Sequence, residues 1–141
     1  MDSNNKVLLF VHNIWGVKNR EPLLSKPIRV VLFSHIQKNA AEKGTRILIM
    51  NGVEDHVHCL LQLYPSQNLS QVVKNIKLES SLWLNENQVL KIPFEWEGNY
   101  AAYSVSPGSI QQVRDYIEKQ EEYHKTKTLE NELEVFDKAR F

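Results

Sequence analysis

Asp55-His56-Val57-His58-Cys59-Leu60-Leu61-Gln62-Leu63 is the stretch whose reading decides the fold. Its alternate positions split into two sets. Val57, Cys59, Leu61 and Leu63 form one apolar row, and His56, His58, Leu60 and Gln62 form the other. Successive side chains of a strand point to opposite faces, so this pattern predicts a short β-strand. The two imidazoles at i and i+2 project from one face, close enough to hold one cation between them. A pair of ordinary polar residues on a half-exposed sheet face has the same spacing, so the pair alone does not decide between them. A second constellation downstream, at Tyr116 and Gln120, bears on that choice.

The chain of 141 residues has 42% hydrophobic and 24% charged residues, an ordinary globular composition, and is expected to form a single domain over 1–141 with a real core. Its one cysteine, Cys59, falls on the apolar row, which predicts a buried, inert thiol and a cytoplasmic setting. No apolar run reaches the length needed to cross a bilayer, and Met1-Asp2-Ser3-Asn4-Asn5 lacks the form of a signal peptide, so no membrane association is expected. Zero net charge argues against strong indiscriminate binding to nucleic acid. The charge is unevenly spread, however. Eight Lys/Arg against two acids between Lys6 and Arg46 are compatible with a local phosphate-binding face, and also with an ordinary solvated surface.

Upstream, Lys6 to Val17 is rich in β-branched and aromatic residues and predicts a first strand, followed by a polar turn through Pro22. A first helix is expected from Ser25–Pro27 to Gly44, with Val30, Val31, Phe33, Ile36 and Ala40 on its apolar side. Arg46 to Met50 predicts a second strand. Asn51-Gly52 is a two-residue hairpin signal, with Glu54-Asp55 able to lengthen the loop, and makes this strand the antiparallel neighbour of the histidine strand. A second helix is expected over Leu69 to Glu86, with Leu69, Val72, Val73, Ile76, Ser80, Trp83 and Leu84 on one face and Lys74 and Lys77 off it. Phe94 to Val105 predicts a strand interrupted near Gly98-Asn99. Ser106-Pro107 opens a third helix running to about Lys125, and Leu129 to Phe141 predicts a short last helix or extended tail. This order predicts an α+β, ferredoxin-like antiparallel sheet with helices packed mainly on one face.

The third helix has Ile110, Val113 and Ile117 as its apolar stripe. At about 100° per residue, Tyr116 and Gln120 lie about 40° apart beside that stripe, with Tyr123 on the same flank. The phenol and the amide therefore emerge together at the edge of the buried face, where they can meet the histidine row. A tyrosine flanking an apolar stripe is also a common packing residue.

His-x-His on a strand, followed about sixty residues later by Tyr-x-x-x-Gln on a helix, resembles the single-tyrosine HUH transposases of small bacterial insertion sequences (the insertion-sequence-200-like group) and their relatives associated with repeated extragenic palindromes. The stretches VHNIWGVKNREPLL, GVEDHVHCLLQL and FEWEGNYAAYSVSPGSIQQVRDYIEKQEEYHK extend the resemblance from about residue 8 to 136.

The resemblance implies a DNA transposase with its tyrosine on a C-terminal helix. His56 and His58 would supply nitrogen ligands and Gln120 a carbonyl oxygen to Mg²⁺ or Mn²⁺, a set without a carboxylate. Tyr116 would be the nucleophile that cleaves single-stranded DNA at hairpin-flanked ends, leaving a 5′-phosphotyrosine link and a free 3′-OH. Tyr123 competes for that role but has Lys127, not a glutamine, four residues on. Asp55 either orients a histidine or closes the loop. His124 is expected as a polar helix-end residue, His35 as a packing residue of the first helix and His12 as part of the first strand, none of them a ligand. The resemblance also implies a homodimer whose tyrosine helix can complete the partner's site, acting in the bacterial cytoplasm and on the nucleoid. Lys18, Arg20, Lys74 and Lys77 are the expected phosphate contacts. The zero net charge and the short tail after Phe136 depart from the pattern and predict weaker DNA binding. Two other readings fit a chain of this kind: a nucleic-acid-binding module that has lost the chemistry, and a metal-dependent nuclease using water as nucleophile.

Overall fold

A computed structural model describes residues 5–138 of the chain; Met1–Asn4 and the expected end of the last helix, Ala139–Phe141, lie outside the described residues. The strands are β1 (Leu9–Gly16), β2 (Arg46–Gly52), β3 (His56–Leu63) and β4 (Ala101–Val105). They form one antiparallel sheet in the order β2-β3-β1-β4. Helix α1 (Lys26–Glu42) connects β1 to β2, and α2 (Leu69–Glu86) connects β3 to β4. This βαββαβ order, with β3 inserted between β1 and β2, is the ferredoxin-like α+β arrangement that the sequence predicts. After β4 come α3 (Ile110–Glu118), the single turn α4 (Gln120–Tyr123) and α5 (Leu129–Lys138).

The two long helices pack on one face of the sheet. Val57, Cys59 and Leu61 of β3 and Trp15 of β1 meet Leu32, Phe33 and Ile36 of α1 and Val73, Ile76 and Leu84 of α2. Helix α2 has the predicted bounds because its apolar face is regular, and Asn68 caps it by accepting from the Gln71 N–H. In α1 the inward positions are Arg29, Leu32, Phe33, Ile36 and Ala40, whereas Val30 and Val31 face solvent. Gly44, at φ +81°, ends that turn in the left-handed region where a glycine is favoured.

The opposite face is not open. The row of His56, His58, Leu60 and Gln62 is buried throughout. Phe10, Leu60, Val105 and Ile117 form a second apolar cluster under α3, and Ile14, Leu129 and Phe136 a third under α5. The short C-terminal helices therefore cover the histidine row.

Two local readings change. The hairpin turn is Val53–Asp55, closed by the Val53 N–H donating to the His56 carbonyl (3.0 Å), while Asn51 and Gly52 remain in β2 opposite His58 and Val57. Gly52 is needed for close approach: a Cβ there would lie 2.4 Å from the His56 carbonyl oxygen. Asn51 instead donates to the Ile117 and Glu118 carbonyls (3.0 and 3.1 Å), satisfying two of the last acceptors of α3. The segment from Phe94 to Tyr100 is mainly a loop, with one bridge between Val17 and Trp96. It is held by Asn85, which exchanges two hydrogen bonds with the Phe94 backbone (2.7 and 3.0 Å).

Candidate metal and tyrosine centre

His56 and His58 point from β3 toward α3–α5, and both are almost completely buried. Their orientation comes from outer partners. His56 Nδ1–H donates to Asp55 Oδ1 (2.7 Å), so Asp55 takes the histidine-orienting role of the two considered. His58 Nδ1 is 2.8 Å from Nε2 of His12, which sits two positions from Ile14, the β1 partner of His58. In both imidazoles Nε2 is left facing the space below α5.

The predicted helix to Lys125 breaks at Lys119 (φ −96°, ψ 23°), where α3 ends and α4 starts. Tyr116 closes the last turn of α3 and Gln120 opens α4. Asn51 fixes the end of α3, and the buried guanidinium of Arg29 holds α4 through Glu121 (3.0 Å). Tyr116 and Gln120 still converge, as their spacing predicts, on a group that the predicted set lacks: Glu132. The Tyr116 hydroxyl donates to Glu132 Oε2, and the Gln120 amide Nε2–H donates to the same oxygen at 2.9 Å. The other oxygen, Oε1, faces His56 Nε2 (3.2 Å), His58 Nε2 (3.1 Å) and His124 Nε2 (2.8 Å).

The ligand set expected from the sequence has no carboxylate, and the structure adds one, Glu132, at the centre of the cluster. His124 ends α4, as the sequence predicts, and from there also reaches the cluster, with its Nδ1–H donating to the Lys127 carbonyl at 2.6 Å and its Nε2 facing Glu132. Glu132 had a signal in the sequence. It sits in the inward stripe of α5 with Leu129, Leu133 and Phe136, where a carboxylate without partners would be costly. The start of α5 is also written in Thr128 and Asn131, whose side chains and backbone N–H groups bond reciprocally at 3.2 Å.

The electrostatics follow from this packing. Burial would lower the pKa of His56, but its bonds to Asp55 and Glu132 outweigh burial and raise it. Burial dominates for His58, whose pKa is lowered despite Glu132, and for His12, which is pushed down to about 3 by burial and by neighbouring His58. Burial alone would raise Glu132, yet hydrogen bonds from His124, His56 and His58 hold it far below the usual carboxylate range. Burial and the adjoining Glu132 carboxylate push the Tyr116 phenol well above its ordinary value.

Whether a metal fits can be judged from the donors. The ligand atoms of His56, His58, His124 and Glu132 all lie within 4.8 Å of one another. Gln120 Oε1 is buried with no hydrogen-bond partner, so a carbonyl donor is available beside them. The donors therefore suit a cation.

Lys18 pairs with Glu95 (2.9 Å), and Arg20 with Glu97 (3.0 Å) and Glu130 (3.1 Å). Lys77 Nζ donates to the Glu97 and Asn99 carbonyls, and Lys74 is exposed one turn earlier on α2. Arg20 is near enough to the centre to help hold the Asp55 carboxyl below its ordinary range, after the larger effect of its bond to His56. Tyr123, the competing tyrosine, packs edge-on against Tyr116 at 5.4 Å. His35 is a packing residue, stacked on Trp83 at 4.2 Å and bonded to Glu79. Cys59 is fully buried, and burial pushes its thiol up to about 12.

A ferredoxin-like sheet with a buried histidine–carboxylate cluster and a tyrosine hydroxyl at its edge defines a class of α+β proteins able to combine a metal and a phenol at one point. Comparison with known proteins identifies the family. The model for "Transposase IS200 like" matches residues 5–120, and the chain belongs to that family of transposases. It is 29% identical over 122 residues to the ISDra2 transposase TnpA of Deinococcus radiodurans, covering 77% of this chain and 81% of that protein. A crystal structure of a putative transposase from Deinococcus radiodurans superposes with a TM-score of 0.68 at 26% identity, over 85% of this chain and 96% of that one. A REP-associated tyrosine transposase bound to a REP hairpin shares the fold, with a TM-score of 0.59 at 17% identity over 84% and 72% of the two chains. Among the described residues, no helix is long and apolar enough to cross a membrane.

Proposed function

We propose that this transposase is a single-tyrosine HUH strand transferase that cuts and rejoins single-stranded DNA through a covalent 5′-phosphotyrosine link. The observation that supports it most is the convergence of His56, His58, Tyr116 and Gln120, from two distant parts of the chain, on one buried point. A packing tyrosine has no need of two inward imidazoles and an unpartnered amide oxygen beside its hydroxyl.

His56, His58 and Gln120 would hold a divalent ion, Mg²⁺ or Mn²⁺, which when bound supplies Lewis-acid polarisation of the scissile phosphate and charge neutralisation. The chain's own residues do the rest. Tyr116 Oη attacks phosphorus, the bond to the 3′-oxygen breaks, the proton lost by the phenol is balanced by the one taken up at the departing 3′-oxygen to give a 3′-OH, and the strand's 5′ phosphate stays on the tyrosine. A second 3′-OH reverses the step, so the bond energy is conserved and no ATP is needed. Asp55 and His12 keep the two imidazoles aimed, and the packing of α3 on Leu60 and Phe10 keeps the hydroxyl in reach.

The DNA we infer is single-stranded with hairpin ends, in keeping with the hairpin-bound relative of the same fold. Arg20, paired with Glu97 and with Glu130 of α5, and Lys18 and Lys77, held at Glu95 and Glu97, are the cations we take to meet the strand, with Lys74 one turn away on α2. Exchange of present partners for phosphates would give backbone contacts without base preference. We take the active form to be a homodimer in the bacterial cytoplasm. Within one chain Tyr116 and the two histidines converge on Glu132, which supports a site assembled in cis; in a homodimer the tyrosine helix of one subunit could equally serve the partner's histidines.

The test is a denaturing-gel assay with labelled single strands from the flanks of the gene, with Mg²⁺ or Mn²⁺. A metal-dependent band heavier by one protein mass, absent in Tyr116→Phe, is expected. Cleavage that persists in Tyr116→Phe would assign a water-using nuclease. Binding to the correct flanks without cleavage would assign a binding module.

A further inference from the structure

The centre contains more donors than the proposed ligand set uses. Three imidazoles share one pattern. In each, Nδ1 is engaged by an outer partner: Asp55 for His56, His12 for His58 and the Lys127 carbonyl for His124. In each, Nε2 is aimed at the same carboxylate oxygen, Glu132 Oε1, at 2.8–3.2 Å. Imidazoles anchored through one nitrogen and converging through the other are what a metal site requires, because outer bonds fix both tautomer and ring direction.

Glu132 divides its oxygens. Oε1 belongs to the imidazoles, and Oε2 takes the hydrogen bonds of Tyr116 and Gln120. Its side chain is completely buried on α5, whose docking rests on Leu129 and Phe136 and on the Arg20–Glu130 pair. Glu132 reaches the centre only when α5 is docked.

We propose that α5 completes the metal centre: Glu132 and His124 join His56 and His58 as ligands, making a three-imidazole, one-carboxylate set that takes a transition-metal ion such as Mn²⁺ in preference to Mg²⁺, while the second oxygen of Glu132 positions Tyr116. This rests on the reading that the histidines hold a metal. Mg²⁺ is a hard ion that keeps its waters and favours oxygen donors, whereas imidazole nitrogen suits the transition metals. One carboxylate against a divalent ion leaves the site a net positive charge for a phosphodiester. Metal occupancy would also tie α5 to β3, and with it the exposed link carrying Lys125 and Lys127.

The test is metal binding on the full chain without DNA. Isothermal titration with Mn²⁺ and with Mg²⁺ would be run on the unaltered protein, Glu132→Gln, Glu132→Asp, His124→Gln, His58→Ala and Tyr116→Phe. Trypsin cleavage after Lys125 and Lys127 would be followed with and without Mn²⁺. We expect Mn²⁺ to bind at least tenfold tighter than Mg²⁺. Glu132→Gln and His124→Gln should each weaken Mn²⁺ about tenfold or more and remove the metal-dependent protection of the two lysines. Glu132→Asp, which keeps the charge, should bind at intermediate strength, and covers the case in which Glu132→Gln does not fold. Tyr116→Phe should bind Mn²⁺ as the unaltered protein does.

Loss of binding in His58→Ala with no change in Glu132→Gln or Glu132→Asp would overturn the proposal and leave the two-histidine site standing. Tighter binding in Glu132→Gln would overturn it in the other direction, making Glu132 a competitor of the metal. Unchanged binding in His58→Ala as well would remove the metal reading on which it rests.

Discussion

The two faces of this sheet are built from alternate residues of the same strands and do opposite work. On one, Val57, Cys59 and Leu61 pack against α1 and α2 in a core that is mainly apolar, with a few buried polar side chains such as Ser80 and Arg29 held by their own hydrogen bonds. On the other, one residue along each time, His56 and His58 meet a carboxylate, an amide and a phenol under α3–α5. Both faces are buried, so burial does not distinguish them; what differs is whether each group there needs a partner. The apolar face stabilises by removing area from water and works with any residues of matching volume. The polar face is held by directed bonds, each of which leaves an unpaired buried group when broken. A small fold can therefore place a reactive cluster on a rigid support, the support being the far side of the same strand.

The largest effect expected on this comparison is functional. His58→Ala or Tyr116→Phe should reduce strand cleavage by at least about a thousandfold in a single-turnover gel assay, with the far-UV circular dichroism of the fold retained. The mirror experiment is Leu61→Ala. It should destabilise by about 2–5 kcal/mol in urea unfolding and leave the cleavage rate of the folded fraction near that of the parent. If Leu61→Ala damaged chemistry as much as His58→Ala, the division of work between faces would be wrong.

An intermediate effect is expected from pH. His12, pushed down to about 3, stays neutral in the fold but protonates in the unfolded chain below its histidine pKa of about 6.5, and the lowered pKa of His58 acts in the same direction, so the unfolded state binds more protons and stability falls as pH falls. His56 has the opposite sign: its raised pKa contributes stability fully present below about 6.5 and lost as pH rises above it. In chelator, stability should therefore peak near neutrality. It should drop by roughly 2 kcal/mol between pH 6.5 and 5, as measured by urea midpoints, and His12→Gln should flatten that acid limb. The smallest effect belongs to Asn51→Ala, which frees two carbonyls at the end of α3. About 1 kcal/mol of stability should be lost, with a several-fold slower cleavage from looser placement of Tyr116.

How much of this was legible in the sequence depends on the range of the interaction responsible. Helix α2 and the histidine strand were readable because their apolar spacing is regular over many residues. The pairing of Tyr116 with Gln120 was readable as helical geometry, even though the helix breaks between them. The hairpin turn was misplaced because Asn51-Gly52 has the composition of a turn for another reason: Gly52 makes room for the His56 carbonyl, and Asn51 binds the end of α3. Val30 and Val31 follow the helical spacing only roughly and face solvent, while the neighbouring Arg29 takes an inward position through its bonds to the Leu24 carbonyl and Glu121. Glu132 and His124 were missed because their meaning is wholly tertiary. Sixty-eight residues separate His56 from His124 and 76 separate it from Glu132. The one local trace, a carboxylate inside the apolar stripe of α5, indicates a buried partner without indicating which.

The central claim is that Tyr116, held at the polar face, becomes covalently joined to DNA. Its most direct measurement is mass spectrometry of the tryptic peptides from the protein–DNA adduct after nuclease trimming. Trypsin separates the two neighbouring tyrosines, leaving Tyr116 in the peptide Asp115–Lys119 and Tyr123 in Gln120–Lys125. The account predicts a nucleotide phosphate on Asp115–Lys119 alone. The modification on Gln120–Lys125, or cleaved DNA with neither peptide modified, would contradict it.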